Sequence, residues 1–309
     1  MQLPSHKIQL LLVVILLCAS GFASERPWRE IRSPHFRVIT NGNEGAARHV
    51  AREFEQMRAV FADEFPGYRL DSAERLLIVA PEDEPAARKL LPEMWKHSGP
   101  KPAGVYFHAW EQPYAMVRLD QVRSDLTMDE FAVVYHEYVH SLLHLNLHWL
   151  PTWLDEGLAD YFATSRLAND KLDVGNIDLN TYPVWWIDNL ATSSNLTENI
   201  KNGSVIPLRA IITDHGGPSM DQQFNLYYLH WWTLTHFLFE SEKYHARAVQ
   251  LAQEGGGLED FETLIGPVDQ IQIEWHDYVR QMKAGLMGKN VKFFKSKKVP
   301  KPVVSSGKS

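Results

Sequence analysis

Two short stretches carry most of the chemistry this chain can do. His136-Glu137-Tyr138-Val139-His140 is an H-E-x-x-H motif, and Trp153-Leu154-Asp155-Glu156-Gly157-Leu158-Ala159-Asp160-Tyr161 follows after a short turn. Residues four apart on an α-helix lie on one face, one turn apart. The imidazoles of His136 and His140 are therefore expected to reach one metal ion. Glu137 is too close along the backbone to complete a tetrahedron easily, but it is placed to touch a metal-bound water. Zinc lowers the pKa of such a water to about 7, and Glu137 is the candidate general base that takes its proton. A third ligand must come from another element. Glu156 is the candidate, because its aromatic and aliphatic flanks imply partial burial, and a buried carboxylate needs a metal or a partner. Asp160, one turn on, is expected to accept the free ring N–H of His136 and fix that ring. The implied cofactor is one zinc ion per chain. His144 and His148 prolong the i+4 series, so the chain offers more imidazoles than one site uses. The plainer reading, four histidines sharing a helix face by accident, leaves Glu156 unexplained.

These residues need two helices to hold them. Thr127 to Leu145 has Phe131, Val134, Leu142 and Leu145 at helical spacings, with no glycine or proline. A second helix is expected to open at Pro151, which has no donor to lose in a first turn. Its apolar face is Trp153, Leu154, Leu158, Tyr161 and Phe162. Gly157 costs a helix about 1 kcal/mol relative to alanine. It is either a tolerated surface glycine or, the reading preferred here, a gap that lets this helix approach the zinc helix.

The layout expected around them is α+β: a small mixed sheet with helices, a zinc-binding helix pair, and a mainly helical C-terminal part. Phe36–Thr40 and Arg75–Ala80 read as strands, Ala46–Phe61 as an amphipathic helix and Asp83–Leu91 as a short one. Gly104–His108 and Ala115–Leu119 read as a hairpin-like pair around Trp110-Glu111-Gln112-Pro113. Residues 169–205 are turn-rich but contain Tyr182, Trp185 and Trp186, which suits either a wall of a cleft or a pinned loop. Phe224–Glu240 is a strong aromatic helix in which His236 reads as a packing residue, Gly255-Gly256-Gly257 is a turn, and Asp260–Ala284 closes the chain as one helix. The divisions are 24–126, 127–168, 169–205, 206–288 and a basic tail, 289–309.

Residues 1–23 read as a secretory signal peptide: Lys7, an apolar core Ile8–Leu17, and small residues at Gly21-Phe22-Ala23. The apolar run is short for a membrane span, although a retained anchor is the alternative. Cleavage would remove Cys18, the only cysteine, so neither disulfides nor thiol chemistry are available, and a secreted or periplasmic location follows. The tail holds seven lysines and no acid, while the whole chain carries −7, so the body is strongly acidic. That argues against a nucleic-acid partner. The tail itself is expected to be a disordered, solvated end, with weak contact to an anionic surface as the functional alternative.

The H-E-x-x-H and W-L-x-E-G-x-A-D-Y pair resembles the gluzincins, the peptidase-MA-like zinc metallopeptidases of thermolysin type. The opening Trp28-Arg-Glu-Ile-Arg-Ser-Pro-His-Phe-Arg-Val-Ile-Thr40 is similar to bacterial peptidase-MA-like proteins of unassigned substrate. The resemblance implies zinc on His136, His140 and Glu156, Glu137 as base, and Asp160 behind His136. It also implies an oxyanion donor on a later helix, which maps to Tyr228, with Tyr227 or His230 as alternatives and a packing tyrosine as the plainer reading. An edge strand before the zinc helix would pair with extended peptide, and Ala115–Leu119 is its candidate. The G-x-M-E-N exopeptidase motif is missing, and so is the third histidine of the metzincins. The implied partner is a peptide or protein substrate, with no stable membrane span after signal cleavage. The alternatives are a catalytically inactive zinc-stabilised binding module of the envelope and a zinc hydrolase of a non-peptide amide.

Overall fold

The computed structural model describes residues 26–71, 75–96, 101, 103–107, 114–121, 132–168, 171–213, 223–288, 296–298 and 305–306. The signal segment, the Trp110 turn and the start of the Thr127 helix lie outside them.

Short alternating runs make the N-terminal strands. In Phe36–Thr40 (β2), Phe36, Val38 and Thr40 are buried while Arg37 and Ile39 are half-exposed. Leu76–Ala80 (β3) repeats the pattern. Arg29–Arg32 (β1), Gly104–Phe107 (β4) and Tyr114–Val117 (β5) complete the N-terminal set. The strand order is β4-β5-β3-β2-β1. β2, β3 and β5 run parallel to one another, and β1 and β4 are antiparallel to their neighbours. The sheet is therefore mixed, and the fold is α+β. The strand expected at the edge, Ala115–Leu119, is internal, because β5 pairs on both sides; β4 is the edge. The tail also departs from a wholly disordered end. Ser305–Ser306 pairs with β1, and Ser296–Lys298 pairs with Lys171–Asp173, which forms a hairpin with Arg166–Ala168. A strand at a sheet edge presents unpaired N–H and C=O groups to which another segment can pair.

The helix Glu44–Glu64 (α1) starts where the Asn43 side chain accepts the Ala46 N–H. It packs on the sheet together with Ala132–His144 (α3), which follows the short helix Glu84–Leu90 (α2). Phe36, Phe54, Tyr135 and Tyr138 join sheet, α1 and α3, with ring centroids 5.0–5.6 Å apart. Such pairs add about 0.5–1.5 kcal/mol each beyond area burial. The Tyr135 hydroxyl, fully buried, donates to Glu53 at 2.6 Å. One face of α3 is thereby fixed in the core, which turns the face bearing His136 and His140 toward Thr152–Ala163 (α4).

α4 lies between α3 and a later helix. After Leu196–Lys201 (α5) and Leu208–Thr213 (α6) comes the aromatic helix Phe224–Glu240 (α7). Gly157 faces α7, not the zinc helix as expected. A Cβ there would stand 2.8 Å from the Trp231 carbonyl oxygen and 2.3 Å from Thr235 Oγ1. The chain closes with His245–Glu254 (α8), Leu258–Leu264 (α9) and Val268–Gly288 (α10). The single closing helix expected over Asp260–Ala284 is two, because Gly266 takes φ +139 and Pro267 has no N–H to continue the ladder. No helix among the described residues is long and apolar enough to cross a membrane.

Gly157→Ala gains helix propensity but collides with a backbone carbonyl. It is expected to lower stability by about 1–3 kcal/mol, read as a drop in thermal midpoint; a rise in midpoint would mean that α4 and α7 are not in this contact.

Candidate metal centre

His136 and His140 bring their Nε2 atoms to 3.0 Å of each other. Their Nδ1 atoms are both taken. His136 Nδ1 lies 2.8 Å from Asp160 Oδ1, and His140 Nδ1 lies 2.8 Å from Asp155 Oδ1. A carboxylate only accepts, so each Nδ1 carries the proton and each Nε2 of a neutral ring presents a lone pair. Glu156 Oε2 lies 3.3 Å from one Nε2 and 3.8 Å from the other, and this buried oxygen has no hydrogen-bond partner. Two lone pairs and a carboxylate oxygen thus converge on one point. Only a cation makes that arrangement favourable. The three donor atoms all lie within 4.8 Å of one another, a spacing that a single metal ion can span.

With protons as the only cations, the electrostatics run the same way. Burial opposes the charged form of His136, but Asp160 and Glu156 outweigh it and raise its pKa from 6.5 to about 10. Burial likewise opposes charge on His140, and Asp155 with Glu156 raises it to about 9. Burial works against the Glu156 carboxylate too, yet the two imidazoles hold it well below the usual range.

Glu137 is half-buried beside His136 and borders a cavity of about 340 Å³ lined by Met94, Ala103, Gly104, Val105, Tyr106 and Val133. The edge strand β4 forms one wall. A Cβ on Gly104 would come within 2.2 Å of Val134 Cγ2, so the missing side chain lets β4 lie directly against α3.

Tyr228, from α7, joins the group. Burial, then the charges of Glu156, Asp160 and Glu137, push its phenol well above the ordinary value. Its ring packs on Phe224 and on Tyr182, at 4.4 and 5.7 Å. The two alternatives fare differently. His230 is buried and committed to the core, with Nδ1 donating to the Leu226 carbonyl at 2.6 Å and Nε2 accepting the Ile206 N–H at 2.9 Å. It is no oxyanion donor. Tyr227 packs edge-to-face against Trp231. His236 is buried between Tyr278 and the Gly175 carbonyl, the packing role expected of it.

Two neighbours of the cluster escaped the sequence. Asp155 orients His140, and the available signal was that this ring also needs an acceptor for its second nitrogen. Tyr182 comes from the 169–205 region. Its hydroxyl is buried without a partner, and burial, then Asp160, Tyr228 and Glu156, push it well up. Nothing in its local sequence separates it from Trp185 and Trp186, which are exposed.

One protein family matches the chain, over residues 130–253, and is described as a protein of unknown function (DUF1570). The matched segment includes His136, Glu137, His140, Asp155, Glu156, Asp160, Tyr182 and Tyr228. No curated protein matches the chain.

Two outcomes follow. Asp160→Asn, which cannot accept the ring N–H in the same way, is expected to weaken metal affinity about 10–100-fold, measured by competition with a chelating dye. In metal-free protein, the raised imidazole pKa values add stability that is complete below 6.5 and is lost as pH rises through about 9 and 10. The thermal midpoint in chelator should therefore fall from pH 7 to 10, and His136→Ala should flatten that decline.

Proposed function

We propose that the protein is a zinc-dependent peptidase that works outside the cytoplasm. The observation that carries this reading is the convergence of His136 Nε2, His140 Nε2 and the unpartnered Glu156 Oε2, with Glu137 alongside. His136, His140 and Glu156 would hold the ion, and Asp160 and Asp155 keep both rings in the tautomer that presents Nε2. Imidazole with carboxylate suits zinc, and three protein ligands leave a position free, as in catalytic sites. Zinc bound there supplies Lewis acidity, which polarises a carbonyl and eases the deprotonation of water.

The chain's own groups do the rest. Glu137 accepts the proton of the attacking water and returns it to the departing amine. Tyr228 stays protonated at neutral pH, because burial and three carboxylates disfavour its anion. Its hydroxyl therefore donates to the carbonyl oxygen as negative charge develops. The substrate is read as peptide from the other side of the cleft. β4 is an open sheet edge that can pair with extended backbone, and the mostly apolar cavity beside Glu137 can take a side chain. The N-terminal segment and the scarcity of cysteine support export.

Glu137→Gln should keep its zinc and lose hydrolysis of a mixed peptide library, followed by mass spectrometry; loss of zinc would overturn the base assignment. Tyr228→Phe should lower kcat on the order of 10²-fold with metal content unchanged. Glu156→Ala should weaken zinc binding itself. A zinc-loaded protein that cleaves no peptide would favour a non-catalytic binding role.

A further inference from the structure

Asp155 divides its two oxygens between two imidazoles. Oδ1 faces His140 Nδ1 at 2.8 Å, and Oδ2 faces His144 Nε2 at 2.9 Å. Holding His140 in place requires only the first contact. The second belongs to another cluster, in which donor atoms of His140, His144 and Asp155 again lie within 4.8 Å of one another. This cluster opens on a cavity of about 380 Å³ at the C-terminal end of α3, lined by His144, Leu147, His148, Trp149, Leu150 and Asp155. α3 ends at His144, so His148 is not one further turn of the same helix but a loop residue bordering the same cavity. The two histidines left over by the inner cluster therefore border one cavity together with Asp155.

We propose that His144 and Asp155, completed by His148, form a second site for a divalent transition-metal ion, distinct from the inner cluster. His144 Nε2 and Asp155 Oδ2 are the two donors already in contact. Around a tetrahedral ion with bonds of about 2.1 Å, neighbouring donor atoms stand about 3.4 Å apart, so this pair must open by roughly half an ångström. His144 can make that move: its side chain is 53% exposed and it stands at the helix terminus, whereas Asp155 is 19% exposed and anchored through Oδ1. The ion would replace the proton shared by His144 and Asp155, leaving the His140 Nδ1–H bond to Oδ1 intact. Two imidazoles and one carboxylate, with water at the open cavity side, form a ligand set suited to zinc or cobalt. The inference goes beyond the proposed hydrolysis and does not depend on it.

The test is a titration of the metal-free full-length protein, free of any histidine tag, with zinc by calorimetry and with cobalt by visible absorbance. Two classes of site are expected, the second weaker by at least about tenfold because it is more exposed and less constrained. His144→Gln combined with His148→Gln should abolish the weak class and keep the tight one; both side chains are at the surface, so the fold is retained. His136→Ala should do the reverse. A single class that survives the double substitution overturns the proposal, as does a weak class that survives it beside a tight one. Loss of the tight class alone in the unaltered protein would count against the inner site and not against this one.

Discussion

The structure turns on two imidazole nitrogens that carry lone pairs and are held 3.0 Å apart. Left alone they repel. Asp160 and Asp155 fix the tautomers that create the repulsion, and Glu156 adds a third electron-rich atom to the same point. Unpaired buried groups of this kind cost free energy, so the surrounding fold has to hold them together until a cation arrives. In metal-free protein protons take the cation's place, and the neighbouring carboxylates raise the pKa of both imidazoles.

What holds the cluster is the packing of α3 and α4 on opposite partners. α3 is fixed through Tyr135 and Tyr138, whose rings interlock with Phe36 and Phe54 while the Tyr135 hydroxyl reaches Glu53. α4 is fixed through Gly157, where the α7 backbone comes too close for any side chain. Each helix spends its apolar face on the core and its polar stripe on the other helix. A close-packed interior transmits small displacements, so the spacing of the donors depends on residues that never touch them.

The surroundings of the cluster are asymmetric. His136, His140, Glu156 and Asp160 make it polar, whereas the cavity bordered by β4, Met94 and Val133 is mostly apolar, with Glu137 in its lining. Tyr228 of α7 and Tyr182 stand close enough to the cluster for the charges of Glu156 and Asp160 to act on both phenols. A site that combines a cation-demanding cluster, a flanking carboxylate, a protonated phenol and an open strand edge suits hydrolysis of an extended amide better than storage of an ion. That difference is why the proposed chemistry is catalytic.

The local part of this protein was legible in its residues. The spacing of His136 and His140 puts both rings on one helix face by geometry alone, and Asp160 follows Glu156 by one turn for the same reason. Alternation in Phe36–Thr40 and the aromatic run Phe224–Glu240 set their elements with the right ends. The tertiary structure decided everything that depends on which surfaces meet. It turned Gly157 toward α7, made β4 and not β5 the edge, committed His230 to the core and brought Tyr182 to the His–Glu cluster from a turn-rich region. The physical reason is that periodicity specifies which face of an element is apolar, while the partner of that face is chosen by packing between segments far apart in the chain. That choice leaves no period behind in the sequence.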